Sequence, residues 1–102
     1  MTKQHPNVSI VIISHNTRAL TLRCLESLIP IPNSERILVD TGSTDGTIEA
    51  TTDPGVTVIS ANKATGYAAA AHLGVKQASG TNLIICNADT EFHSGAVERL
   101  VN

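Results

Sequence analysis

The sequence predicts an α/β domain whose parallel sheet is covered by helices on both faces. Three observations predict it. Four short runs rich in β-branched residues recur along the chain, segments with helical spacing separate them, and the first and last runs are almost continuously apolar. Continuous rather than alternating apolarity marks strands buried on both faces, the usual position of parallel strands. Parallel strands in turn need crossovers, which are right-handed and lay their helices on the sheet.

The elements follow in order. Val8-Ser9-Ile10-Val11-Ile12-Ile13 is the first predicted strand. Arg18 to Leu28 carries Leu20, Cys24, Leu25 and Leu28 near a 3.6-residue spacing, with Asn16 or Thr17 as cap and Pro30 and Pro32 as stops. Ile37-Leu38-Val39 is the second strand, and Thr44 to Thr51 a short helix ahead of the Asp53-Pro54-Gly55 turn, capped by Ser43 or Thr44. Val56-Thr57-Val58-Ile59 is the third strand. The alanine-rich segment Tyr67 to Ala78 is the third helix, with Gly80 as its C-terminal signal. Its small residues, Ala68 to Ala71, let it lie close to the sheet. Leu83-Ile84-Ile85-Cys86 is the fourth strand, and Gly95 to Val101 a last helix capped by Ser94.

Composition narrows the function. At 102 residues the chain forms one domain and buries roughly 65% of the surface its unfolded form exposes. A hydrophobic share of 41% against 16% charged excludes a disordered polyelectrolyte. Seven basic and nine acidic residues leave a formal charge of −2, which gives no electrostatic footprint for nucleic acid. With one tyrosine, one phenylalanine and no tryptophan, the chain also lacks the aromatic faces of a stacking platform. Cys24 and Cys86 lie in apolar runs without CxxC spacing and read as buried free thiols, in keeping with a reducing, cytoplasmic setting. No apolar stretch approaches the ~18 residues of a membrane span. His5, His72 and His93 show no metal-ligand spacing, and no Ser-His-Asp or Cys-His set can be assembled.

An open parallel sheet binds ligands beyond the carboxyl ends of its strands. Those ends are where this sequence turns polar: Ser14-His15-Asn16, Asp40-Thr41-Gly42-Ser43, Ser60-Ala61-Asn62 and Asn87-Ala88-Asp89. All four are expected on one rim. Asp40 can accept from a base imide N–H or a ribose hydroxyl, although an ordinary βα turn accounts for the same residues. Asp89 suits a hard divalent cation shared with a diphosphate, with Asn87 as a neutral oxygen ligand or a ribose contact. The alternative is an Asx turn made by Asp89 and Thr90. His15 can stack on a base. Gly66, ahead of the third helix, lets a ligand approach the backbone, with close packing on the sheet as the alternative, and Lys63 can reach a phosphate, although a solvated side chain is the more frequent role.

In this order the four rim segments resemble the start of a family 2 glycosyltransferase of the GT-A fold, a Rossmann-like nucleotide-sugar transferase architecture. The likeness runs through Val8 to Asn16, Leu38 to Thr47, Asn62 to Gly74 and Asn87 to Thr90. It implies an inverting hexosyl transfer from a UDP- or dTDP-linked sugar to a saccharide or lipid-linked acceptor hydroxyl, in cell-wall or polysaccharide biosynthesis, with Mg2+ or Mn2+. It implies Ser14, His15, Asn16, Asp40 and Thr41 around the nucleotide base. Asn62, Gly66 and Asn87 complete the nucleotide-sugar set, and Asp89 is the metal-side carboxylate. Asn87 replaces the first Asp of the family's Asp-X-Asp motif, as in rhamnosyltransferase-like members. Thr41 stands where many members have Asp or Asn, and Ala71 where a basic residue is common.

The family's domain commonly runs about twice as far, in the range of single α/β domains. Residues 1–102 therefore read as a single, incomplete donor-binding domain. The half after the Asp-X-Asp motif normally supplies the acceptor pocket and the base, so the base is expected beyond Asn102 and no residue is assigned as catalytic. Two other readings compete. One is a non-catalytic nucleotide-sugar-binding or oligomerising module, since a half-sheet leaves an open edge and apolar surface for a homo-oligomer contact. The other is an unrelated doubly wound domain, such as a receiver, which would need acidic residues where Ser14, His15 and Asn16 stand.

Overall fold

The computed structural model describes residues 6–90 and 96–101. Eight elements follow one another: β1 (Val8–Ser14), α1 (Arg18–Ser27), β2 (Ser34–Thr41), α2 (Thr47–Ala50), β3 (Val56–Ala61), α3 (Tyr67–Gln77), β4 (Asn82–Asn87) and α4 (Ala96–Val101). The strands form one sheet in the order β3-β2-β1-β4, and every pair is parallel. The α/β class and the strand–helix alternation are as expected. Ser94 and Gly95, the expected start of the last helix, lie outside the described residues.

β1 is buried along its whole length, and its side chains divide between the two faces. Val8, Ile10 and Ile12 join Leu38 under Cys24 and Leu25 of α1, Leu28 just after it, and Val97 of α4. Val11 and Ile13 join Ile37 and Val39 under Ala70 of α3. Helices thus cover both faces. β4 is an open edge, and α3 does not reach across it: Leu83 and Ile85 remain 44% and 39% exposed.

β2 begins three residues before its apolar run. Ser34, Glu35 and Arg36 pair in register with Val8, Ser9 and Ile10, so the neighbouring strand draws polar residues into the sheet. Arg36 is held there by Leu25 O at 3.1 Å and by an ion pair with Asp53 at 2.8 Å. Glycine proves decisive on α3. A Cβ at Gly74 would run into Val11 Cγ1, so the close helix–sheet approach depends on Gly74 and buried Ala70, while Ala68 and Ala69 face outward. Gly80 does not terminate the helix as predicted. α3 ends at the extended residue Ala78, and Gly80 instead lets the chain pass β1, where a Cβ would stand 2.6 Å from Ser9 N.

Both cysteines are free, Cys24 buried and Cys86 partly so. The neighbouring Cys86 thiol, and then burial, push the Cys24 thiol well above its ordinary range, so it remains protonated in the core. No helix among the described residues is long and apolar enough to cross a membrane.

Candidate functional site

The strand order sets the position of the site. From β1 the chain steps outward to β2 and β3, and α3 then returns it across the sheet to β4, on the other side of β1. β1 and β4 therefore flank the topological switch point, where open α/β sheets leave a crevice outside the strand ends. A cavity of about 370 Å³ lies there. Ser14 and His15 line it from the end of β1, Thr41 from β2, and Asn87 and Asp89 from β4. Thr17 and Leu20 of the α1 region and Thr65 and Tyr67 at the start of α3 complete the wall. The sequence did not single out these four. Leu20 and Tyr67 are 42% and 53% exposed, an exposed apolar signal that only tertiary placement makes visible.

The carboxylates at the rim divide sharply. Asp40 is fully buried. Its Oδ1 accepts from Ser14 Oγ at 2.8 Å and Ser43 Oγ at 2.6 Å, and its Oδ2 accepts from Ser43 N at 2.9 Å. It organises the loop from inside and does not line the cavity. Asp89 is exposed, and its side chain makes no hydrogen bond among the described residues. The turn around it is closed by backbone, Thr90 N to Asn87 O at 3.1 Å, so the Asx-turn alternative does not consume the carboxylate. Asn87 is likewise exposed and uncommitted among the described residues.

Three further predicted residues are not among those lining the cavity. Asn16 holds the Asp40 loop: its backbone N–H donates to Ser43 Oγ at 2.8 Å, and its Oδ1 accepts from Thr44 N at 2.7 Å. Its positive φ of 49° suits asparagine. Asn62 makes an Asx turn, with Oδ1 accepting from Ala64 N at 2.8 Å. Gly66 has an ordinary φ of −69°, and a Cβ there would meet nothing within 4 Å. Gly42 is different. It sits at φ 74°, and a Cβ would stand 2.8 Å from Lys63 N, so the loop after β2 packs directly on the loop after β3.

The predicted caps are replaced by a longer-range one. Neither Ser43 nor Thr44 caps α2, and neither Asn16 nor Thr17 makes a side-chain cap on α1. Asp45 serves both helices. Its Oδ2 accepts from Arg18 N at 2.9 Å, and its Oδ1 from Thr47 N at 3.2 Å. The Thr47 hydroxyl, followed by these backbone donors, holds the Asp45 carboxyl below its usual range.

Comparison with known proteins decides the family. The profile described as "Glycosyl transferase family 2" matches residues 9–102, nearly the whole chain. The chain belongs to glycosyltransferase family 2. This family 2 chain is 31% identical to "Uncharacterized glycosyltransferase YwdF" of Bacillus subtilis (strain 168), over 97 residues that cover 91% of the chain and 36% of that protein. It superposes with a TM-score of 0.78 and 26% identity on a solved structure described as "Mannosyltransferase PcManGT from Pyrobaculum calidifontis in complex with GDP-Man and Mn2+". That match covers 97% of this chain and 31% of the other. The fold is thus GT-A, and the chain spans about a third of the length of each relative.

The residues at the switch point suit a hard cation in one respect. Asp89 offers a carboxylate that no other described residue engages and Asn87 a neutral oxygen, the donor types that Mg2+ and Mn2+ take. No group of three or more His, Cys, Asp or Glu side chains among the described residues could hold an ion alone. Phosphate oxygens are the kind of further ligand that completes a Mg2+ shell beside one or two carboxylates.

Proposed function

We propose that this chain forms the nucleotide-sugar donor site of an inverting glycosyltransferase that transfers a hexosyl group to a saccharide or lipid-linked hydroxyl. The observation that carries the reading is the cavity between β1 and β4, with an uncommitted Asp89 on its wall. Family membership and the likeness to a mannosyltransferase solved with GDP-Man and Mn2+ support it.

In this reading the ends of β1 and β2 receive the nucleoside. His15, Ser14 and Thr41 contact its base, and Leu20 and Tyr67 supply apolar wall. Asn87 and Asp89 hold a divalent cation against the diphosphate. When bound, the cation neutralises charge developing on the leaving diphosphate. Gly66, with no side chain, leaves the start of α3 open to the sugar-phosphate. Asp40, Asn16 and Asn62 act one layer back by shaping the loops. Asp89 is the one carboxylate lining the cavity among the described residues, and assigning it to the cation leaves none as acceptor base.

The test is ligand-dependent thermal stability with Mn2+ and a panel of UDP-, dTDP- and GDP-linked sugars. At least one is expected to raise Tm, and Asp89→Ala is expected to remove the Mn2+-dependent part while leaving the unliganded chain's stability within about 0.5 kcal/mol of the parent's. No stabilisation by any member at millimolar concentration overturns the reading.

A further inference from the structure

Hydrogen bonding around His15 indicates which ring nitrogen carries hydrogen. Nδ1 lies 2.6 Å from the carbonyl oxygen of Thr41, on the adjacent strand. A carbonyl only accepts, so Nδ1 carries hydrogen. Asn16 provides a second constraint. The Thr44 N–H donates to its Oδ1 at 2.7 Å, which fixes the amide orientation and identifies Nδ2 as the donor end. That Nδ2 lies 3.4 Å from His15 Nε2. A donor facing Nε2 agrees with a donor proton already on Nδ1. With hydrogen on Nδ1, the neutral ring presents a lone pair at Nε2.

The other acceptor expected to read a base, the Asp40 carboxylate, is fully buried with both oxygens occupied. The Ser14 hydroxyl is committed to it. With Nδ1 held by Thr41, the polar atom His15 retains for a ligand is Nε2, and its 3.4 Å contact with Asn16 is long enough to yield to a shorter one.

Building on the donor-site reading above, we propose that His15 Nε2 accepts a hydrogen bond from a ring N–H of the donor's nucleobase. The chain is then selective for uracil, thymine or guanine, which carry N3–H or N1–H at that edge, over cytosine. Cytosine N3 is an unprotonated acceptor. Facing Nε2, it sets two lone pairs against each other and leaves both unpaired, a mismatch that sites built to bond an N–H reject.

The experiment is calorimetric titration of the full chain with UDP, dTDP, GDP and CDP in Mn2+. CDP is expected to bind at least about tenfold more weakly than the best of the others, a difference of about 1.4 kcal/mol. His15→Phe keeps a ring and removes the acceptor, and is expected to shrink the preference to within about threefold. CDP binding as tightly as the best of the others, or a preference that survives His15→Phe, overturns the proposal while leaving the donor site intact. If none of the four binds at millimolar concentration, the donor-site reading falls and takes this proposal with it. Long-range ¹H–¹⁵N correlation of the unliganded chain gives an independent readout. Hydrogen on Nδ1 is expected, and hydrogen on Nε2 overturns the proposal without any nucleotide.

Discussion

Ser14 and Asp40 are register partners on adjacent strands, and Ser14 Oγ donates to Asp40 Oδ1 at 2.8 Å in a fully buried contact. With Ser43 on the remaining lone pairs, Asp40 ties the end of β1 to the loop after β2. Asp40→Ala strips partners from two hydroxyls and one backbone N–H. The expected cost is about 2–3 kcal/mol, measured as a lower urea midpoint at unchanged slope. A loss below about 0.5 kcal/mol would show that the loop is held by something else.

Gly74→Ala tests how tightly α3 lies on the sheet. Alanine gains about 1 kcal/mol of helix propensity over glycine. The added methyl, however, meets Val11 Cγ1 and stands 3.2 Å from Val39 Cγ2. Overpacking of a filled core costs about 1–3 kcal/mol, so the net change is expected to be destabilising. A higher urea midpoint for the variant would mean that α3 retreats at little cost.

Gly66→Ala makes the opposite case. A Cβ there meets nothing within 4 Å, and φ is −69°, so the variant is expected to match the parent's stability within about 0.5 kcal/mol. If the open space receives a sugar-phosphate, nucleotide-sugar affinity falls while stability does not. Equal affinity in titration would remove Gly66 from the binding set.

Glu35 gives stability a pH dependence. Its Oε2 accepts from the Ser9 hydroxyl, from Ser79 N at 2.6 Å and from Ser79 Oγ at 3.1 Å. Burial works to raise its pKa, but the Ser9 and Ser79 donors outweigh it and hold the carboxyl below its ordinary 4.5. A carboxyl lowered on folding contributes stability that is complete above its unfolded pKa and is lost as pH falls through the folded one. Stability is therefore expected to hold from pH 7 to about 5 and decline below about 4.5. Glu35→Gln is expected to cost about 1 kcal/mol at neutral pH, because solvent reaches this cluster. The gap between variant and parent closes in acid. A constant gap across that range would count against the Glu35 linkage.

Much of this was legible in advance. The continuous apolarity of Val8 to Ile13 marks a strand buried on both faces, and β1 is the central, wholly buried strand. Polar residues after each apolar run put four loops on one rim, and Ser14, His15, Thr41, Asn87 and Asp89 meet there. Element ends were less legible. β2 starts early because β1 offers ladder partners to Ser34–Arg36, and a partner strand leaves no trace in local composition. The caps misled for a related reason. Ser43, Thr44, Asn16 and Thr17 have the right chemistry at the right positions, but Asp45 reaches back 27 residues to cap α1.

Local pattern alone therefore determined the class, the order of elements and the set of polar residues at the strand ends, because backbone period and turn chemistry are short-range properties. Tertiary structure alone decided which of those residues remain available. Asp40 and Asp89 are the same side chain, one in the last ladder pairing of β2 with β1 and one two residues beyond β4. Yet one is enclosed by hydroxyls from β1 and its own loop, and the other faces the crevice at the edge strand. A carboxylate's role depends on the donors that surround it. Those that surround Asp40 include one 26 residues away, brought into contact only when β1 and β2 pair.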